Sequence, residues 1–152
     1  MTQVAKPTLR AATAADAREI KELLGRSGLV TSDLDSARPQ FVVARLSGKE
    51  TIGIGALERF GPVALLRSVA VEPQWQGSGV GRLIVEELER RARAAGIGEL
   101  VLLTLTARNF FAHLGYRTKP RNQVPSPVLD SAEFRCLCPA SAICMAKTLT
   151  PN

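Results

Sequence analysis

Apolar positions along this chain change their period several times, and each change marks an element. Thr8-Leu9-Arg10-Ala11-Ala12 reads as a short strand. Thr13 then offers an N-cap and Asp16 completes an acidic capping-box-like start. Ile20, Leu23 and Leu24 follow at helical spacing, and Gly28 marks the stop. Leu29–Pro39 is polar with scattered apolar residues: a connecting loop or a lip beside a site, with Thr31-Ser32-Asp33-Leu34 as the start of a short helix. Three apolar runs come next, Gln40–Leu46, Thr51–Phe60 and Val63–Val71, separated by Ser47-Gly48-Lys49-Glu50 and by Gly61-Pro62. Tight turns between such runs predict an antiparallel three-stranded meander.

The helical period returns from about Gly79 to Ala95. Leu83, Ile84, Leu88 and Ala92 form its expected buried stripe, while Glu86, Glu87, Glu89, Arg90, Arg91 and Arg93 form its wet face and Gly96 ends it. Glu99–Thr106 is nearly all apolar, as a central strand buried on both faces would be. Strand, helix and strand across Val63–Thr106 make a crossover unit, so these two strands should run parallel. Ala107–Leu114 predicts a short helix ending at Gly115, and Tyr116–Lys119 a short strand. Pro120–Ser131 is a proline-rich loop with one helical turn expected near Leu129–Phe134, and Ile143–Leu149 is the last strand. No repeat, linker or low-complexity tract interrupts the pattern. The expectation is a single domain over residues 1–152, of mixed α/β (α+β) class.

Composition narrows the partners. With 152 residues and 45% hydrophobic content, the chain can build a real core. No apolar run is long enough to span a membrane and no secretory h-region is visible, which favours the cytoplasm. The formal net charge of +6 suits an anionic ligand. Lys and Arg are dispersed and aromatics are few, so nucleic acid is not expected. Cys136, Cys138 and Cys144 are odd in number and read as free thiols. Cys136-x-Cys138 lacks the usual zinc spacing, and a buried cysteine is ordinarily a small hydrophobe. No metal is expected, although three thiols would suit a thiophilic species such as trivalent arsenic.

The chemistry-bearing stretch is Ser68–Gly81, Ser-Val-Ala-Val-Glu-Pro-Gln-Trp-Gln-Gly-Ser-Gly-Val-Gly. A strand feeds a glycine turn that opens a helix, which aims backbone N–H groups and the positive helix end at one spot fit for a phosphate or pyrophosphate. Arg82-Leu83 follows where a P-loop needs Lys-Ser/Thr, so a nucleotide triphosphatase is disfavoured. The dinucleotide fingerprint is also not met, in glycine spacing or in the meander that precedes it.

Gln76-Gly77-Ser78-Gly79-Val80-Gly81 fits Gln/Arg-x-x-Gly-x-Gly/Ala after a strand ending Val-Glu-Pro, and Ala107-Arg108-Asn109-Phe110-Phe111-Ala112-His113-Leu114-Gly115-Tyr116 lies some thirty residues on. This layout resembles the GNAT superfamily of acetyl-coenzyme A-dependent N-acetyltransferases over about Leu9 to Leu149. The resemblance implies a mixed, mostly antiparallel sheet with one parallel, splayed strand pair, flanked by helices. It implies acetyl-CoA as cofactor, with the backbone of Gln76, Gly77, Ser78, Gly79, Val80, Gly81 and Arg82 on its pyrophosphate and Val69, Val71, Asn109 and Phe111 along its pantetheine arm. An amine attacking a thioester needs a base and a donor for the oxyanion. Glu72, Glu58 and His113 are the candidate bases and the N–H of Val69 the donor. Family members often carry a Phe-Tyr pair where this chain has Phe110-Phe111, so that acid hydroxyl is missing here. Arg67, a charge among apolar strand residues, needs an anionic partner: a substrate carboxylate or Glu58.

The tail, from Glu133-Phe134-Arg135 through Cys138-Pro139-Ala140-Ser141-Ala142 to Met145-Ala146-Lys147, resembles the ArsN type of GNAT proteins associated with arsenic resistance. That narrower resemblance implies a small amino-acid-like amine, an arsenic-containing amino acid among the candidates, with Arg121, Arg135 and Ser141 to grip its carboxylate. An ordinary amino acid such as glutamate is the rival acceptor, and a coenzyme A-binding or arsenical-sensing module with weak catalysis is the rival class. The expected partner is a small-molecule amine, and a homodimer is left open.

Overall fold

The structure, a computed structural model, describes residues 7–26, 39–46, 50–131, 134 and 141–150. Its strands are β1 (Thr8–Ala11), β2 (Pro39–Leu46), β3 (Glu50–Phe60), β4 (Val63–Val71), β5 (Glu99–Thr104), β6 (Arg117–Thr118) and β7 (Ile143–Thr148). Its helices are α1 (Ala17–Arg26), α2 (Val80–Ala94), α3 (Arg108–His113) and α4 (Ser126–Leu129). The strands hydrogen-bond in the order β1-β2-β3-β4-β5-β7-β6 as one seven-stranded sheet. β4 and β5 pair in parallel, with Val63 opposite Glu99 and Leu65 opposite Val101. The β1–β2, β5–β7 and β6–β7 pairs are antiparallel. This is the mixed α/β sheet with one parallel pair that the chain order predicts.

The chain groups into two compact units, the first made of Met1–Ala56 with Ser68–Leu88, the second of Leu57–Arg67 with Glu89–Asn152. The core of the first unit gathers Ile20, Leu23, Leu24, Val43, Ile54 and Ala70. All three predicted apolar positions of α1 are in it. A 3-10 turn, Ala14–Asp16, leads into that helix, and Thr13 N–H donates to Asp16 Oδ2 at 2.7 Å. Asp16 does more than cap. It is 2% exposed and accepts both Nη1 and Nη2 of Arg10, at 2.8 and 2.9 Å, so its carboxyl is held at about 2. The expected stop at Gly28, the helix start at Thr31–Leu34 and the turn Ser47-Gly48-Lys49 lie outside the described residues.

The second unit packs Phe60, Val63, Leu65, Val101, Val124, Val128, Phe134 and Cys144 together. α2 ends as expected: Gly96 takes φ 79°, and Ile97 N–H returns to Ala92 O at 2.9 Å. Two expectations need correction. First, the buried stripe of α2 includes Val85, whereas Leu83 is only half-buried, and Glu89 is buried rather than solvated. Glu89 can be buried because Tyr116 Oη donates to it at 2.9 Å and Lys147 Nζ at 3.1 Å. Second, β5 stops at Thr104, whose Oγ1 accepts the N–H of Ala107 at 2.9 Å and turns the chain. The proline-rich loop holds a helical turn at Ser126–Leu129, where proline with its preset φ is tolerated in a first turn that leaves N–H groups unused, and the turn expected near Leu129–Phe134 falls partly outside the described residues.

Candidate active site

In the first unit, β4 ends at Val71 and Glu72 N–H donates to Ile52 O at 2.8 Å, tying the strand end to β3. A 3-10 turn, Pro73–Trp75, follows. Gln76 bends back so that Nε2 donates to Val71 O at 3.1 Å, and the Ser78 hydroxyl donates to Trp75 O. Gly77 and Gly79 take φ of 80° and 95°, conformations that side chains rarely adopt. A Cβ built on either would meet nothing within 4 Å, so both face open space. The first backbone bond of α2 is Leu83 N–H to Gly79 O at 3.1 Å. The amides of Val80, Gly81 and Arg82 therefore come before any intrahelical acceptor, at the positive end of the helix. Left-handed glycines, open space and convergent amides fit the diphosphate of a coenzyme A-type cofactor.

β4 carries a feature that sequence reading missed. Ser68 sits at φ 60°, the one left-handed residue other than glycine among the described residues. A left-handed residue within a strand departs from the extended backbone and re-aims the groups beside it. A small polar residue inside the apolar run Leu65–Val71 was the available signal. Val69 and Val71, on either side of buried Ala70, are half-buried. Glu72, a candidate base, is bonded to Arg26 from the last turn of α1, and its side chain is 13% exposed.

In the second unit, Glu58 on β3 and Arg67 on β4 form a buried pair, Nη1 to Oε1 at 3.0 Å, with side chains 8% and 1% exposed. Of the two partners considered for Arg67, Glu58 is the one the geometry brings to it. Two charges so buried are tolerable because they neutralise one another. Asn109 is exposed on α3, and its carbonyl meets His113 Nδ1 at 2.7 Å. His113, the third candidate base, is itself exposed. Phe111 is buried and stands edge-to-face to Tyr116 at 5.6 Å, so its ring packs the interior of the unit. Arg121 donates to Ala142 O at 2.9 Å and lies over the Phe134 ring, which makes it a strut of the proline-rich loop. Ser141 is exposed. Arg135, Cys136 and Cys138 lie outside the described residues. Cys144 is buried in β7, where burial raises its thiol pKa. Among the described residues no cluster could hold a metal ion, and no helix is long and apolar enough to cross a membrane.

Comparison with known proteins agrees with this geometry. The family model described as "Acetyltransferase (GNAT) domain" matches residues 37–118. An aminoglycoside N(6')-acetyltransferase type 1 from Stenotrophomonas maltophilia is 34% identical over 113 residues, 62% of this chain and 72% of that protein. An amino-acid acetyltransferase from Mycobacterium tuberculosis is 32% identical over 137 residues, 82% of this chain and 76% of that protein. Among solved structures, an M. tuberculosis protein in complex with CoA and NLQ superposes with a TM-score of 0.80 at 27% identity, covering 95% of this chain and all (100%) of that one.

Proposed function

The chain belongs to the GNAT acetyltransferase family, and on that premise we propose that it acetylates the amine of a small amino-acid-like acceptor. Acetyl-CoA-dependent N-acetyltransfer itself follows from the family and its relatives. The observation that carries the cofactor reading is the open, left-handed glycine turn at the start of α2. The acceptor class is supported by the name of the M. tuberculosis amino-acid acetyltransferase, and the tail resemblance to the ArsN type extends it to an arsenic-containing amino acid.

In this reading the amides of Gly77, Gly79, Val80, Gly81 and Arg82 hold the diphosphate, the N–H groups of Gln76 and Ser78 being engaged with Pro73 O and Trp75 O, and Gly77 and Gly79 let the backbone reach it. Bound acetyl-CoA supplies a thioester carbonyl for the amine to attack. The left-handed backbone at Ser68 supports Val69 N–H as the donor to the thioester oxygen, since it re-aims the amide that follows it. The backbone of Val69 and Val71 would pair with the pantetheine amides. Glu58 receives the amine proton directly or through water, and Arg67 acts by holding Glu58. Glu72, engaged with Arg26, anchors the turn rather than serving as base. Arg135 and Ser141 are the proposed contacts for the acceptor carboxylate, Arg121 being engaged with Ala142 and Phe134.

The test is thiol release from acetyl-CoA across a panel of glutamate, other amino acids, arsenic-containing amino acids, an aminoglycoside and a peptide amine. Turnover led by an amino acid supports the proposal. Turnover confined to the aminoglycoside or the peptide overturns it, and CoA binding without turnover on any amine supports the sensing module instead. In parallel, Gly79→Val should abolish CoA binding, because valine rarely adopts φ 95° and its side chain would enter the open space of the turn. Retained affinity sinks the diphosphate assignment.

A further inference from the structure

The glycines of the first unit fall into two kinds. Gly77 and Gly79 have open space around them. Gly53 and Gly55, on β3, have none. A Cβ on Gly53 would lie 2.7 Å from Ile84 Cδ1, 3.2 Å from Val80 Cγ1 and 3.3 Å from Ala70 O. A Cβ on Gly55 would lie 2.6 Å from Ile84 Cγ2 and 2.9 Å from Leu88 Cδ1. Ile84, Leu88 and Val80 are buried residues of α2, spaced on one helix face, and Val80 is the first residue of that helix. The bare backbone of β3 is thus the floor on which α2 rests.

We propose that Gly53 and Gly55 are positioning residues for the cofactor: by letting α2 lie directly on β3, they set where its N-terminal amides stand. This rests on the reading of that helix end as the diphosphate site. The floor reaches the cradle by one step, because Val80 touches Gly53 with its side chain and belongs to the amide set with its backbone. A close-packed interior has no slack to absorb a methyl group at 2.7 Å, so either a neighbouring side chain leaves its rotamer or the helix lifts. At Gly55 the crowding atom is Ile84 Cγ2, which branches from Cβ and is held by the helix backbone, and at Gly53 the mobile Ile84 Cδ1 is accompanied by Val80 Cγ1 and the Ala70 carbonyl, so a side-chain swing alone does not clear an added methyl. Lifting the helix is therefore the relief that remains, and it moves the amides relative to the turn that precedes them. Hydrogen bonds to a charged oxygen lose strength steeply with such displacement.

The test is CoA affinity in purified protein, followed by the fluorescence of Trp75, the one tryptophan, which sits in the 3-10 turn before the cradle. Gly53→Ala and Gly55→Ala should each weaken the CoA Kd by about tenfold, equivalent to roughly 1.4 kcal/mol. Far-UV dichroism and the acceptor KM should stay unchanged. 3'-Phosphoadenosine 5'-diphosphate, which carries the diphosphate without the pantetheine arm, should lose affinity by the same factor. Ile84→Val removes the Cδ1 that meets Gly53; it should be nearly silent alone and should recover part of the loss in Gly53→Ala, leaving about threefold from the Val80 contact. A folded Gly53→Ala variant with wild-type Kd overturns the proposal. If that variant does not fold, the Gly53→Ala/Ile84→Val pair is compared with Ile84→Val, and equal Kd values overturn it. Wild-type protein that does not bind CoA, or a Gly79→Val variant that still does, would instead overturn the diphosphate reading beneath it.

Discussion

Glu89 lies among charged residues on a helix face that periodicity reads as solvated, yet it is 5% exposed. Its carboxylate accepts from Tyr116 Oη and from Lys147 Nζ, and Lys147 also donates to Leu114 O at 2.8 Å. Burial and the nearby Glu89 charge push the Tyr116 hydroxyl far above its ordinary pKa, which keeps it protonated as a donor. Removing one partner from such a cluster leaves a buried charge under-compensated. Lys147→Met should therefore cost about 3 kcal/mol in urea unfolding. Tyr116→Phe, which keeps the ion pair, should cost about 1 kcal/mol. Equal losses in the two variants would show that the charge is not what matters. Asp16 yields a pH prediction. Its folded pKa is about 2, below the unfolded value of 3.8, so the stability it contributes is present above pH 3.8 and lost as pH falls towards 2. Asp16→Asn should lower stability at pH 7 by roughly 1–2 kcal/mol, allowing for the half-exposed Arg10, and the difference from wild type should shrink through that acid window.

Elements meet at the turn after β4. The last turn of α1 brings Arg26 onto Glu72, at the head of the glycine-rich segment proposed to hold the diphosphate. A lone carboxylate there would repel an anionic ligand; Arg26 neutralises it. Arg26 is 58% exposed, so the pair should add less than about 1 kcal/mol to stability. Its effect should appear in binding. Arg26→Ala should weaken the CoA Kd several-fold at low ionic strength, and the gap should close as salt rises. A gap that does not respond to salt would mean that Arg26 acts through packing. The left-handed residue Ser68 belongs to the same scale: it stands between the part of β4 in register with β5 over Val63–Leu65 and the part carrying Val69 and Val71. Nothing in β-propensity predicts which residue of an apolar run will turn left-handed.

At the scale of the whole molecule, a ligand that binds only the native state stabilises it by mass action. CoA at a hundred times its Kd should add about 2.7 kcal/mol and raise the thermal midpoint by several degrees. Gly79→Val should erase that shift, and a shift that persists would place the anion elsewhere. The net charge of +6 favours such a ligand without saying where it binds. The mixed sheet with its parallel β4–β5 pair, the existence and type of the long elements and the left-handed turn glycines were legible along the chain. Each depends on neighbours in sequence: a period, a cap, a glycine where only glycine takes that φ. The pairing of charges was not. Glu89 with Lys147 spans 58 positions, Glu72 with Arg26 spans 46, and Glu58 meets Arg67 only because β3 and β4 put them side by side. The two glycines under α2 belong with these, since a missing side chain acquires meaning only when something packs against it. Sequence determined which segments would be strands and helices and where the backbone needs glycine, because those are local properties of the backbone. Tertiary structure alone decided which charges are buried, which candidate acids are already engaged and what the cradle rests on, because contact between distant residues is set by register and packing.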